Sequence, residues 1–282
     1  MLKDKLLPFF CGACMVATFL LLAGILGYIF YRGLPALSWD FLTTPTTQAG
    51  VAGGILYQIV GTLVLGIATT AIVSPLAYGY ALIHSFFLRN GKRKRLMSIF
   101  IYSLNGFPSI LFGLFGFFLF VKFLGWGKSW LAGGILLAFV SLPTVTVAII
   151  ERIKEIPRLQ PEAAYAMGFT DEKVAWSVVL PQSLGGYFTG LFLGLSRAVG
   201  ETAPILFTAT VFAGATLPLG VTQSPVLSLP YHLFVLAQDS YNPQALTNGW
   251  GAALTLVGIV FTLSLLALPA RMIIHQKVTH DE

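Results

Sequence analysis

The chain has 282 residues, of which 10% are charged and 56% hydrophobic, and a formal net charge of +6. Its mean hydropathy of +0.81 is too high for a soluble domain of this size and marks an integral membrane protein. The apolar stretches are long and do not alternate, which excludes a membrane barrel and leaves helices, because an open sheet in lipid strands its edge amides.

Six windows of roughly 20 or more predominantly apolar residues can each cross a hydrocarbon core of about 30 Å as a helix. They run from Pro8 to Phe30, Ile59 to Ile83, Ser98 to Val121, Leu131 to Ile150, Leu184 to Ala213 and Trp250 to Met272. The first follows the basic start "MLKDKLLP". It is longer than the about 7 to 15 apolar residues of a secretory signal and lacks a small-x-small cleavage site, so it is expected to stay as a helix. Within it Cys11 and Cys14 share a face as C-x-x-C. That spacing suits a redox pair, while small cysteine side chains are also ordinary in apolar helices and no further Cys or His stands near to complete a metal site.

Lys3 and Lys5 precede the first span; Arg89, Lys92, Arg93, Lys94 and Arg95 lie between the second and third; Arg152, Lys154, Arg158 and Lys173 lie between the fourth and fifth; Arg271 and Lys277 end the chain. The opposite side has only Arg32, Lys122 and Lys128. An excess of Lys and Arg marks the cytoplasmic side, so both termini and these two loops are expected there. The net charge is thus a topology signal and implies no nucleic-acid partner. The run "RNGKRKR" suits topogenesis, and an acidic partner or anionic lipid fits it as well.

The outer loops cover 32–58, 122–130 and 214–249, and "SLPYHLFVLAQDSYNP" in the third has the apolar stripe of a short re-entrant or interfacial helix. Four spans or their ends carry proline, at Pro75, Pro108, Pro143 and Pro204. A kink beside a changing cavity and simple packing fit these prolines equally, because proline is common in membrane helices.

Nothing supports catalysis. His84, His232, His275 and His280 have no ligand spacing, and "GWGKS", Gly125 to Ser129, lacks the first glycine of a phosphate-binding loop, with Lys122 in its place. No metal or cofactor is expected in this chain. If ATP drives it, a partner subunit binds the nucleotide.

The polar loop 151–183 reads as helix, glycine turn, helix: Pro161 at N1 with Glu162 in the first turn, Gly168 as the stop, Thr170 as the next cap, and Leu180 and Pro181 closing the segment. Such detail suits a docking element.

In the fifth span Arg197 lies about 20 Å past Leu184, near the middle. A central arginine costs at least about 2.5 kcal/mol on insertion scales, so it should face a partner or a wet path. Glu201, four residues on, can meet it in a self-neutralising pair, although Arg before Glu is the weaker order. Pro204 cannot bond the carbonyl of Gly200, which weakens that turn. Gly186, Gly190 and Gly194, continued by Ala198 and Thr202, make a small-residue ridge for close helix contact.

"EAAYAMGFTDEKVAWSVVLP" resembles the EAA loop of ABC importer permeases, with Glu162, Ala163, Ala164 and Gly168 as the matching residues. The resemblance implies an all-α, six-helix membrane protein of the type I ABC importer permease (MetI-like) fold, one permease domain over 1–282, whose loop sits in a groove of the ATPase. "SRAVGETAPILFTA", with "RGLPALSWDF", "GGILYQIVGTL", "GFPSILFGLFG" and "AQDSYNP", is similar to the PstA-type permease subunits of bacterial phosphate importers. That likeness implies half of a pathway for inorganic phosphate, with Arg197, Glu201 and Thr202 along it and Gly200 and Pro204 as a hinge. It implies as partners a second, PstC-like permease, two PstB-like ATPase subunits that bind ATP, an extracytoplasmic PstS-like phosphate-binding protein and the lipid of the bacterial inner membrane. A permease for sulfate, molybdate or tungstate, or a scaffold without transport, are the competing expectations. Where the likeness implies a basic residue after Leu142 and Pro143, this chain has Val147, so that role is not carried over.

Overall fold

The computed structural model describes residues 2–88, 91–214, 217–239 and 241–279, with side chains except at 2–7, 49 and 269–279. Arg89 and His280 lie outside the described residues, as do the side chains of Lys3, Lys5, Arg271, Met272, His275 and Lys277.

The order is α1 (Leu2–Gly33), α2 (Trp39–Thr43), a small antiparallel hairpin of β1 (Thr46–Thr47) and β2 (Ala52–Gly53), then α3 (Leu56–Leu82), α4 (Lys92–Gly106), α5 (Ser109–Gly116), α6 (Trp130–Glu155), α7 (Leu159–Ala166), α8 (Asp171–Val174), α9 (Leu180–Gly200), α10 (Ala203–Thr208), α11 (Leu229–Gln238) and α12 (Pro243–Thr279). Among the described residues five helical segments are long and apolar enough to cross a bilayer: Pro8–Ala36, Leu56–Phe87, Trp130–Glu155, Asp171–Gly200 and Pro243–Leu268. The pair Lys92–Gly106 and Ser109–Phe123, bent by 95°, makes a sixth when its two halves are taken as one broken span.

The third span is therefore not the continuous helix from Ser98 to Val121 expected from hydropathy. Phe107 is extended, and Pro108, which cannot donate to a continuing ladder, stands as the N-cap of α5.

α6 is the centre of the bundle, its most apolar window being 72% buried. It packs between α3 and α9 around Val73, Ala77, Ala138, Leu142, Val145 and Ile149. The contact with α9 runs along the glycine ridge: a Cβ at Gly190 would stand 3.0 Å from Val145 O, and one at Gly194 2.8 Å from Val145 Cγ2. Lipid tails are as apolar as leucine, so such close backbone approach is what holds membrane helices together. The ridge is thus spent inside the chain.

α1 packs on α12, where Tyr28 meets Trp250 edge to face at 5.2 Å, and its apolar window is otherwise open, with Cys11 and Cys14 exposed as free thiols. The stripe in the loop 214–249 forms α11, started by Ser228 and Pro230 and packed on α12 and α3.

The loop 151–183 forms helix, glycine turn, helix, with two changes. α7 starts at Leu159, which moves Pro161 from N1 to N3, still in the first turn where an N–H has no helical acceptor. Pro181 does not close the segment: Leu180 N–H donates to Ala175 O, a wide turn that absorbs the missing proline donor, and the helix runs on from Asp171 to Gly200.

Candidate functional site

The fifth span ends at Gly200, well short of Ala213. Glu201 turns extended (φ −75°, ψ 129°), its N–H still bonded to Ala198 O, and α10 begins at Ala203 with Pro204 in its first turn. Gly at a helix end and Pro at a helix start are each unstrained, so "GETAP" encodes a break between two helices. Gly200 and Pro204 therefore flank a gap; the kinked single helix expected from Pro204 is replaced by two helices, with Thr202 O accepting from Leu206 N at 3.0 Å to start the second.

Depth follows from register. Ser141 Oγ donates to Gly194 O at 3.2 Å, and α6 runs antiparallel to α9. One turn on, Arg197 is level with about Ala138, roughly 12 Å from the Trp130 end of α6 and roughly 25 Å from the Glu155 end. Arg197 is inside the candidate membrane-spanning segment yet nearer the level of the Trp130 end of α6, a correction to the central position expected from a span reaching Ala213.

Arg197 stands in the last turn of α9, where a cation is favoured by the helix dipole. Its Nε lies 3.5 Å from Glu201 Oε1, and the side chains are 44% and 19% exposed respectively. An ion pair this long and open contributes at most about 1 kcal/mol, so the pair meets without closing on itself. Nη1 donates to Asn105 Oδ1 at 3.2 Å, across to the last turn of α4. The remaining guanidinium N–H groups have no protein partner among the described residues.

The breaks in the third and fifth spans thus meet. Beyond them α5 and α10 touch backbone to backbone, with a Cβ at Gly113 placed 2.5 Å from Ala203 O. Behind the fifth-span break a cavity of about 10 Å³, lined by Thr62, Leu137, Ala198, Ile205 and Ser228 among others, has room for about one water. Val147 packs on the inner cluster as an apolar residue.

Sequence reasoning missed two polar anchors. Lys128 Nζ donates to Leu206 O at 3.2 Å and Thr210 O at 2.9 Å, capping α10 from the loop before α6, and burial lowers its pKa from the usual lysine value. Its one signal was being one of two lysines, with Lys122, in a short and mostly apolar loop. His232 of α11 lies 3.5 Å from Gln58 Nε2 and stacks on Phe212; burial pushes it down to about 4, so it is neutral near pH 7.

At the far end of α8 and α9, Gly168 takes φ +81°, which suits glycine, and Thr170 Oγ1 accepts from Lys173 N at 3.4 Å. Glu162 and Ala163 are exposed and Ala164 is buried, while Tyr165 OH donates to Asp171 Oδ1 at 2.8 Å and ties α7 to α8. Leu159, Met167 and Trp176 expose 74%, 69% and 68% of their surface. No group of His, Cys, Asp or Glu among the described residues is placed to hold a metal ion.

Residues 74–280 match the sequence model of a family described as "Binding-protein-dependent transport system inner membrane component". The chain is 35% identical, over 93% of its length and 90% of the relative's, to a "Probable phosphate transport system permease protein PstA" of Methanocaldococcus jannaschii. It is 28% identical, over 93% and 94%, to a "Probable ABC transporter permease protein YqgI" of Bacillus subtilis. Its fold is similar to a chain of the MetNI methionine ABC transporter in an inward-facing conformation, with a TM-score of 0.60 at 17% identity over 79% of this chain and 97% of that one.

Proposed function

Because the chain belongs to the family of binding-protein-dependent transport system inner membrane components, with the MetI-like permease fold of type I ABC importers, we propose that it forms half of a transmembrane path for inorganic phosphate. As an importer's membrane subunit it works with ATPase and binding-protein partners. In our reading these are two PstB-like ATPases and a PstS-like phosphate-binding protein, with a PstC-like permease supplying the other half of the path. The chain sits in the inner membrane with both termini cytoplasmic.

One observation carries the reading. A half-exposed guanidinium stands where two broken spans meet at membrane depth, with N–H groups to spare and a counter-charge 3.5 Å away. Broken helices with polar groups at the gap are how membrane proteins build sites for charged substrates. Phosphate carries about one to two negative charges near neutral pH, and a guanidinium can grip two of its oxygens with parallel hydrogen bonds. Glu201 offsets part of the positive charge, which keeps the ion from being trapped, because a path needs weak binding. Thr202, beside it at the gap, offers a hydroxyl to the same ion.

The coupling follows from continuity. Glu162, Ala163, Ala164 and Gly168 belong to the loop that an ATPase grips, and α8 runs through its wide turn into α9 as one helical segment of 30 residues, about 45 Å long. Movement of α7 and α8 at one end is then delivered to the Gly200 to Pro204 gap at the other.

The test uses the complete importer in sealed vesicles with ATP and the binding protein. Arg197→Ala should abolish phosphate accumulation while all subunits still co-purify; accumulation near the wild-type rate removes Arg197 from the path. Accumulation of sulfate, molybdate or tungstate in place of phosphate supports a permease for another oxyanion, and ATPase binding without flux supports a scaffold.

A further inference from the structure

We propose that Asn105 is the positioning residue for Arg197, holding the guanidinium across the junction of the two broken spans through a bond that leaves its charge uncancelled. The inference rests on the reading that Arg197 serves an anion path.

Asn105 lies in the last turn of α4, directly before the break at Phe107 and Pro108. Arg197 lies in the last turn of α9, directly before the break at Glu201. The two are 92 residues apart in sequence, and the 3.2 Å bond from Nη1 to Oδ1 is the one side-chain hydrogen bond between α4 and α9 among the described residues. Beyond the breaks the spans are locked by backbone contact at Gly113 and Ala203. Before the breaks, this bond is their directional tie, beside the apolar cluster that Ile101 and Leu104 share with Tyr187 and Leu191.

The chemistry of the acceptor matters as much as its place. An arginine side chain has five N–H donors and cannot lose its proton, so what surrounds it decides only where it points and how much of its field is offset. Glu201 holds it weakly, at 3.5 Å and from beyond the helix end. Asparagine adds a directional acceptor with no charge. A carboxylate at the same place would be a better acceptor and a worse component, because a second negative group beside Glu201 would turn the site acidic and repel an anion. The two demands, fixed direction and retained charge, are met together by an amide.

The experiment is ATP-dependent phosphate accumulation by the complete importer in vesicles, scored per ATP hydrolysed, with co-purification of the subunits as the check on assembly. Asn105→Ala should lower accumulation about tenfold, the scale of one hydrogen bond to a charged group. Asn105→Asp should lower it further although the aspartate still accepts from Arg197. Adding Glu201→Gln to Asn105→Asp moves the offsetting charge from one side of the guanidinium to the other and should bring accumulation back to within a few-fold of wild type. A purely structural bond predicts the reverse order, with Asp at least as good as Asn and no rescue. Wild-type accumulation by Asn105→Ala or Asn105→Asp, or no rescue in the double variant, overturns the proposal. If Asn105→Asp fails to assemble, Asn105→Gln and Asn105→Leu decide it: Gln near wild type and Leu about tenfold down support it, and equal rates overturn it. Arg197→Ala run alongside separates the levels. Loss in Arg197→Ala with normal Asn105 variants sinks the inference alone, and normal transport by Arg197→Ala sinks the reading beneath it.

Discussion

α6 and the α9 to α10 segment both carry a proline in apolar sequence, "VSLPTVT" and "VGETAPI", and they do opposite things with it. Pro143 sits inside a helix of 26 residues that does not stop for it. Pro204 sits in the first turn of a new helix after the chain has already left the old one at Glu201. The residues around each proline decide. Pro143 is buried, as are Ser141, Leu142 and Val145 of the same stretch of α6, so the packing of neighbouring helices on this stretch holds the helix line across a missing hydrogen bond. Before Pro204 come Gly200, exposed and open around its Cα, and Glu201, whose side chain reaches the polar junction. The third span, with Asn105 and Gly106 before Pro108, repeats the second pattern. In this membrane protein proline permits a break, and a polar residue beside glycine makes one.

The comparison breaks most completely on the packed side. Gly190→Leu drives a side chain into Val145 and Ala148, whose atoms stand 3.0 Å and 2.7 Å from the position of a Cβ. Overpacking costs about 1–3 kcal/mol where side chains can shift and more where backbone is in the way. The expected outcome is loss of the assembled complex, read as failure of the ATPase to co-purify, while Gly200→Ala, with open space around it, assembles normally.

Next comes conversion of the broken side into the continuous one. Glu201→Leu with Pro204→Ala removes the polar exit and the helix start together. The residues 200–204 should then join one helix, with slowed amide hydrogen exchange there, normal assembly and phosphate uptake down at least about tenfold, since about 1.4 kcal/mol lost from the path already gives that factor. Glu201→Gln is the control: it removes the charge, keeps Pro204 and should leave exchange across the gap fast.

A smaller effect is expected at Lys128, which holds α10 in place once the chain has broken. Lys128→Met keeps the length of the stem and removes two hydrogen bonds from an ammonium to the carbonyls of Leu206 and Thr210. Bonds to charged groups are worth about 1.5–3 kcal/mol each when both ends are buried, and half-burial here reduces that. The complex should melt a few degrees lower and take up phosphate severalfold more slowly, with the loss confined to the broken side: exchange in α9 stays as it was.

The unequal legibility of the two regions has the same cause. The packed side was readable because glycine every four residues has one main use in an apolar helix, and Gly186, Gly190 and Gly194 do face α6. The Gly168 turn and the Thr170 cap were readable because each rests on local backbone chemistry. The 95° bend at Phe107 and Pro108 was not, since hydropathy continues smoothly through it and proline alone allows either outcome. Nor was the reach of Arg197 to Asn105 or of Lys128 to Leu206 and Thr210, because those bonds join residues 78 to 92 positions apart and depend on which breaks come together. Pro181 misled for the converse reason, as a wide turn let the helix pass it.

The smallest expected effect is the sharpest check on the comparison. If packing carries α6 past Pro143, then Pro143→Ala should change little. Alanine restores a donor to the carbonyl of Phe139 and is about 3 kcal/mol better than proline in a helix interior. Against that, the lost ring leaves a void in the most buried part of the bundle, and buried methylenes are worth about 0.8 kcal/mol each before any cavity cost. The two nearly cancel, leaving a complex equal to or slightly more stable than wild type and phosphate uptake within about twofold, a change of about 0.4 kcal/mol in barrier. A large loss of uptake with assembly intact would mean that α6 flexes at Pro143 during transport. The continuous side would then be a second moving part, and the contrast with α9 and α10 would be one of degree.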